Sequence, residues 1–382
     1  MTKSSGMAKN RLLSSYLDLV RFVAALFVVF GHAKLQAFGQ AKVSDPVVLV
    51  TSAFPHLAVI VFFVISGYLV GGKLYGAGRP GFAAKYLLDR ATRIYTVALP
   101  MMVIGFAAML LQRHLYGHAF QLTGSDCRAG FTDLAGSLLF VHRGFMPTPC
   151  FNGPFWSLIY EVFYYLFFFA LAFALSNEGR IRYLAAAVAI GLGLYGLLEP
   201  VALYAYSTIW LVGMVVAHPE PFRGRQLLFT IAVLVLFALQ AALRLDQPEA
   251  KWEVAATLPM AGSILLLIRW QPLSPPPLVT RVFALGAAMS YSLYLAHAPA
   301  MNLLRGVAEG SAGVRPSYSE FIVAGFVAGL ACWWLFERHT MAIRYALEKR
   351  AGIARPEAHQ PIPGNEAISG EPPLPSREAT QV

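Results

Sequence analysis

Long apolar runs separated by short polar or basic segments occupy most of the chain. Each run has about the length of a membrane-spanning helix, which needs roughly 17–25 mostly apolar residues. The pattern predicts an all-α polytopic membrane protein, with about ten transmembrane helices around a polar intramembrane cavity. The predicted spans are residues 16–36, 52–70, 92–111, 154–175, 182–198, 201–217, 227–243, 252–268, 282–301 and 321–336.

The first run carries three ionisable side chains on one face. At about 100° per residue, Arg21 and His32 project within about 20° of each other, and Asp18 lies about 60° from Arg21. Ionisable side chains are costly within a bilayer and usually face the protein interior or a water-filled cavity. The stripe therefore predicts that this helix lines a functional cavity.

Composition and charge agree with a membrane location. The 382 residues are 57% hydrophobic and 13% charged, with a net charge of +10. The basic residues are scattered between the apolar runs, which argues against nucleic acid as a partner. They are about twice as frequent on one side of the predicted topology as on the other, so the positive-inside rule places both termini in the cytoplasm. Asp18 and Arg21 interrupt the first run and no small-residue cleavage site precedes His32, which predicts an uncleaved signal anchor.

Three regions follow from this topology. Residues 1–15 are predicted to form a cytoplasmic N-terminus and residues 16–345 a single membrane domain. Residues 346–382 are rich in Pro, Glu, Ser and Gly, which predicts a disordered cytoplasmic tail.

Two of the three cysteines lie in the longest predicted outer connection, residues 112–153. Cys127 and Cys150 can pair on the oxidising side of a membrane, and unpaired thiols are the alternative. Their spacing is not that of metal ligands, so no metal site is expected. The apolar segment 131–141 in the same connection is too short to span and is expected at the membrane interface.

Two motifs lie near the predicted cytoplasmic surface. Ser66 and Gly67 end the second span, where small residues commonly allow close helix packing. Arg90 and Arg93 share one face as the third helix begins. The arginine pair is either a topology signal alone or a site for a phosphorylated cytoplasmic ligand, to which the guanidinium group is suited.

The fourth span begins with a second polar stripe. Ser157, Glu161, Tyr164 and Tyr165 recur at helical spacing, and Glu161 lies about two turns inside the membrane. Trp156 suits an anchor at the outer interface.

The ninth span repeats this geometry with Ser290, Tyr294 and His297. His32, Glu161 and His297 all fall in the outer half of the predicted bilayer. Three ionisable groups at similar depth on three helices favour a shared site over three separate packing roles.

Taken together, five segments resemble the acyltransferase-3 family, whose polytopic bacterial members O-acylate saccharides and other hydroxyl-bearing molecules. The resemblance covers residues 12–345. It depends on the order and spacing of LDLVRFVAALFVVFGHA (17–33), FFVISGYL (62–69), RATRIY (90–95), WSLIYEVFYY (156–165) and SYSLYLAH (290–297).

The resemblance implies an enzyme of the bacterial cytoplasmic (inner) membrane. The donor would be cytoplasmic acyl-CoA, most often acetyl-CoA, with no permanently bound cofactor. The acceptor would be a hydroxyl of a saccharide or lipid-linked glycan, reached in contact with membrane lipid. His32 would be the general base, since an imidazole titrates near neutral pH. A direct transfer and a covalent acyl-histidine both stay open. The implied sites are catalytic His32, Glu161, Arg21 and Asp18; donor-binding Arg90, Arg93, Ser66 and Gly67; and acceptor-binding Trp156, Ser157, Tyr164, Tyr294 and His297.

Two departures from the family pattern affect these expectations. Many relatives have a proline two residues after a glutamate that closes the last helix, whereas here Glu337 is followed by Arg338 and His339. Any special role for Glu337 is therefore not implied. Some relatives carry an extracytoplasmic esterase-like domain, and the short tail here predicts that transfer is completed in the membrane domain.

The sequence is also compatible with two other functions. A secondary transporter or exporter of a polar or glycan-related solute would also carry intramembrane charges, although its broken helices usually occur in two related halves. A membrane sensor or assembly scaffold would leave the histidine and glutamate cluster without chemistry. Consumption of acyl-CoA separates the enzyme from both.

Overall fold

The structure, a computed structural model, describes residues 11–353 except 40, 42, 53, 123–125, 142–148, 199–200, 245 and 270–274. Residues 1–10 and most of the predicted tail, residues 354–382, lie outside the described part. The α-helices are α1 Arg11–Phe38, α2 Pro46–Thr51, α3 Pro55–Leu69, α4 Phe82–Tyr116, α5 Phe131–Leu139, α6 Phe155–Ser176, α7 Arg180–Gly196, α8 Val201–Val216, α9 Gly224–Ala242, α10 Pro248–Arg269, α11 Pro277–Ala312, α12 Tyr318–Leu335 and α13 Thr340–Arg350.

The prediction of an all-α membrane protein is confirmed. Within the described residues, eight helical segments are long and apolar enough to cross a membrane. The predicted fifth and sixth spans correspond to α7 and α8, which have 17 and 16 residues. At about 1.5 Å per residue these two helices are shorter than a hydrocarbon core of about 30 Å.

Several helices extend well beyond the apolar runs that predicted them. Helix α4 begins at Phe82, ten residues before the predicted span at 92, so Arg90 and Arg93 lie within a helix instead of at its beginning. Gly81 and Gly117 flank α4 with φ values of 73° and 74°, which only glycine adopts without strain. Hydropathy detects the part of a helix in hydrocarbon, whereas the hydrogen-bonded helix continues into the polar interface.

Small residues bring the central helices together. Gly325 and Gly329 lie one turn apart on α12, and a Cβ on Gly329 would lie 2.9 Å from Cα of Leu293 on α11. Likewise a Cβ on Gly67 of α3 would overlap the backbone carbonyl of Trp210 on α8. Close backbone approach at small residues is the usual way in which membrane helices associate. Helices α1, α11 and α12 pack together in this way, and α3 packs on α8.

A disulfide cross-links the predicted outer connection. It is one of the two alternatives that the sequence left open for these cysteines. Cys127 and Cys150 form a disulfide with a Cα–Cα distance of 5.4 Å. Arg113 and Arg128 lie 3.2 Å and 2.8 Å from carboxylate oxygens of Asp126. Hydrogen bonds from Arg128 and from the Ala119 amide hold the pKa of Asp126 at about 2. The short helix α5 in this connection exposes apolar side chains, as expected of an interfacial segment.

Helix α13 packs on α4 and belongs to the folded domain. Lys85 of α4 donates to Glu348 over 3.0 Å, and Arg344 donates to the Thr92 hydroxyl over 3.1 Å. The helix continues to Arg350, five residues beyond the predicted limit of the membrane domain at 345. Polar contacts with α4 therefore hold residues 346–350, which the sequence assigned to the tail, in the folded part of the chain.

Candidate functional site

A cavity of about 810 Å³ lies between α1, α3, α4, α6, α11, α12 and α13, within the size range of small-molecule sites. Apolar side chains such as Phe62 and Leu285 line part of it. Among the described residues that line it, seven side chains are basic and two are carboxylates. These are Arg21, Lys73, Arg90, Arg93, Arg281, Arg338 and Arg344, against Glu161 and Glu337. Such a surface attracts an anionic ligand.

The predicted arginine pair divides into one paired and one unpaired side chain. Arg93 donates to Glu337 Oε1 over 2.6 Å, and Glu337 Oε2 accepts from the amide and hydroxyl of Ser292 over 2.9 Å and 2.6 Å. Arg90 forms no ion pair with the described residues, and its Nε is buried without a hydrogen-bond partner there. Its guanidinium lies 5.7 Å from the centre of the Tyr165 ring. Arg90 therefore presents free donors to the cavity.

Glu337 lines the cavity, although the sequence predicted no site role for it. It is 5% exposed, lies in the turn that follows α12, and contacts Arg93 of α4 and Ser292 of α11. A carboxylate at the end of an apolar run was the available signal. No role was predicted from this signal because Arg338 and His339, which follow Glu337, depart from the family pattern.

Glu161 lies at the end of a chain of directed hydrogen bonds. The Trp210 indole donates to Ser66 Oγ over 3.1 Å, and Ser66 and Tyr165 share a 3.0 Å hydrogen bond. Tyr165 donates its only hydroxyl proton to Glu161, so Ser66 must be the donor to Tyr165. Ser66, Tyr165 and Glu161 all line the cavity, and the chain holds the Glu161 carboxylate in place.

Arg21 reaches the same cavity from α1. Its side chain is buried and donates to Ser290 Oγ over 3.3 Å. Asp18, one turn earlier, is buried but is not among the described residues that line the cavity. The polar stripe predicted on the first helix therefore contributes Arg21 to the cavity directly.

Tyr294 connects the cavity to a pair of histidines. Its hydroxyl donates to the Pro154 carbonyl over 3.0 Å and shares a 2.6 Å hydrogen bond with the Ser157 hydroxyl, and both Tyr294 and Ser157 line the cavity. The Tyr294 and His297 ring centres are 6.2 Å apart. His297 Nε2 lies 2.8 Å from His32 Nδ1. The structure thus brings His32 and His297 together, with His297 beside Tyr294, and neither imidazole is among the described residues that line the cavity.

The other predicted residues lie away from this cavity. Gly67 packs against α8, which fits the helix-packing alternative stated for it. Tyr164 is fully buried and donates to the Leu203 carbonyl over 2.7 Å. Trp156 packs against Tyr160 and Tyr206, with ring centres 5.5 Å and 5.8 Å away. Among the described residues, none of these three predicted site residues lines the cavity.

This arrangement provides the groups that acyl transfer needs. A cationic surface can hold an anionic donor, an imidazole can accept a proton from a nucleophile, and a buried guanidinium can stabilise negative charge that develops on oxygen. Arg21 and Glu161 line the cavity, and the His297 imidazole packs beside Tyr294, which also lines it.

Comparison with known families agrees with this chemistry. The acyltransferase-3 family model, described as an acyltransferase domain, matches residues 14–338, which includes every predicted site residue. No curated protein and no solved structure matches the chain. Because the family model covers most of the sequence, the chain belongs to the acyltransferase-3 family and is a membrane acyltransferase.

Proposed function

We propose that the protein transfers an acyl group, most often acetyl, from cytoplasmic acyl-CoA to a hydroxyl of a saccharide or glycan precursor. The enzyme would lie in the bacterial inner membrane with ten spans and both termini in the cytoplasm. The observation that carries the proposal is the excess of basic side chains in the cavity. Coenzyme A is a polyanion, and of all acyl donors a phosphorylated one best fits such a surface.

The position of the bases supports a cytoplasmic donor. Lys73, Arg281, Arg338 and Arg344 line the cavity, and all four lie on the side that the positive-inside rule assigns to the cytoplasm. Arg90 supplies guanidinium donors that no described side chain occupies. Donor phosphates would bind at this end, and the acyl thioester would extend toward Arg21 and Tyr294 along the apolar side of the cavity.

His32 is the proposed general base. It would take the proton of the acceptor hydroxyl as the oxygen attacks the thioester carbonyl. The new C–O bond forms, the C–S bond breaks, and the coenzyme A thiolate regains a proton from the His32 imidazolium. Arg21 would stabilise the oxyanion of the tetrahedral intermediate, and Glu161 would orient the acceptor by accepting a hydrogen bond from another of its hydroxyl groups.

The test is acyl-CoA consumption by purified protein with a panel of saccharide and lipid-linked glycan acceptors. His32→Gln keeps a hydrogen-bonding group but cannot take a proton at neutral pH, so turnover should fall about 10²–10⁴-fold. The matched control is His114→Gln, on the exposed last turn of α4, which should keep wild-type turnover. No acyl transfer to any acceptor would refute the proposed function. Full turnover by His32→Gln would move the base elsewhere.

A further inference from the structure

His297 is held by its own helix. Its Nδ1 lies 2.9 Å from the carbonyl oxygen of Leu293, one turn earlier on α11. A carbonyl oxygen can only accept a hydrogen bond, so Nδ1 of His297 must carry the proton. In a neutral imidazole the other nitrogen then has a lone pair and no proton. Nε2 of His297 is therefore an acceptor, and it points toward His32.

The two imidazoles meet edge to edge. Their planes differ by 9° and their centres lie 5.1 Å apart. His32 Nδ1 and His297 Nε2 are separated by 2.8 Å, which is less than the roughly 3.5 Å between atoms of stacked rings. The contact is therefore an in-plane N–H···N hydrogen bond. Because Nε2 of His297 is the acceptor, Nδ1 of His32 must be the donor.

We infer that His297 is a positioning residue that holds His32 in the tautomer with an unprotonated Nε2. This inference rests on the proposed function, in which His32 is the base. The opposite tautomer would place two lone pairs against each other over 2.8 Å and would leave Nε2 of His32 protonated and unable to act. The family resemblance implied acceptor binding for His297. The contacts instead give it the task of orienting the base, which in other enzymes is often performed by a carboxylate or a carbonyl.

The surrounding packing keeps this arrangement rigid. His297 is 0% exposed, and α12 approaches it at Gly325, where an added Cβ would lie 3.2 Å from Cβ of His297. When His32 accepts the acceptor's proton at Nε2, its Nδ1–H bond to His297 becomes charge-assisted and stronger. His297 thus stabilises the imidazolium as a hydrogen-bond acceptor, while its own Nδ1–H stays hydrogen-bonded to the Leu293 carbonyl oxygen.

Two substitutions separate orientation from packing. His297→Gln retains an acceptor, because the amide oxygen can accept from Nδ1 of His32, whereas His297→Leu fills space but accepts nothing. With acyl-CoA and a working acceptor, His297→Leu should lower kcat about 10–100-fold, the usual cost of losing an orienting partner. His297→Gln should keep most of kcat, and both variants should keep the KM for acyl-CoA. Equal losses in the two variants would overturn the inference.

Nitrogen NMR of histidine-labelled protein tests the tautomer without any turnover. The His32 signals are assigned by their loss in His32→Gln. In the wild-type protein Nδ1 of His32 should be protonated and Nε2 unprotonated, and His297→Leu should abolish this preference. A protonated Nε2, or an equal mixture, in wild-type protein would overturn the inference. A protein that shows the expected tautomer but transfers no acyl group would refute the proposed function alone.

Discussion

The unpaired state of Arg90 leads to the sharpest prediction about donor binding. Arg90 and Arg93 are one turn apart on α4 and line the same cavity, but among the described residues only Arg93 pairs with a carboxylate. Arg90→Gln should therefore remove a phosphate contact and leave the protein fold intact. A hydrogen bond to a charged group contributes about 1.5–3 kcal/mol, which corresponds to a rise in acyl-CoA Kd of roughly 10- to 160-fold.

The measurement is acyl-CoA binding to detergent-purified protein by titration calorimetry, at fixed salt because phosphate contacts are screened. The matched control is Arg223→Gln. It removes the same charge on the predicted cytoplasmic side, but the side chain is 80% exposed and pairs with Glu220 at 3.7 Å. Arg223→Gln should keep the wild-type Kd. If Arg90→Gln also kept it, the arginine would serve topology alone and the cavity would lose its principal link to the donor.

Three further predictions concern stability and topology. Arg93→Gln leaves the buried Glu337 carboxylate without its cation and should reduce the free energy of unfolding by about 3–5 kcal/mol; thermal scans in detergent measure this, and an unchanged midpoint would contradict it. Peptide mapping without reductant should recover Cys127 joined to Cys150, and reduction should cost about 2–4 kcal/mol; two free thiols would exclude the bridge. Reporter fusions at both ends of the chain should signal from the cytoplasm, and an external signal from either end would refute the predicted orientation.

The sequence predicted the architecture well because hydrophobic length is a local property. Apolar runs revealed the membrane helices, and the polar stripe on the first of them correctly indicated that Arg21 faces a cavity. Asp18 and His32 of the same stripe are not among the described residues that line it. The beginning of α4 and the extension of α13 past residue 345 were missed. Amphipathic and polar segments remain helical outside the hydrocarbon, where hydropathy gives no signal. The position of Arg90 within α4 follows from this extension.

The details of the site were less accessible, because they depend on contacts between distant segments. Nothing local distinguishes Arg90 from Arg93, yet Glu337, 244 residues beyond Arg93, pairs with only one of them. Tyr164 and Tyr165 are adjacent and both polar, but they project from different faces of α6. Tyr164 donates to the Leu203 carbonyl, whereas Tyr165 donates to Glu161. Depth in the membrane predicted one site shared by His32, Glu161 and His297. The two histidines are hydrogen-bonded to each other, whereas Glu161 accepts from Tyr165 at the cavity.

The hydrogen bond between His32 and His297 joins residues 265 positions apart, and this separation constrains biogenesis. At a synthesis rate of about 5–20 residues per second, roughly 15–50 s pass between the synthesis of His32 and that of His297. During this interval Asp18, Arg21 and His32 must be shielded from lipid by the insertion machinery or by earlier helices such as α3. A truncated chain that ends before α11 therefore has an uncovered polar helix and no histidine pair. Such products would be targets for membrane quality control instead of partly active enzymes.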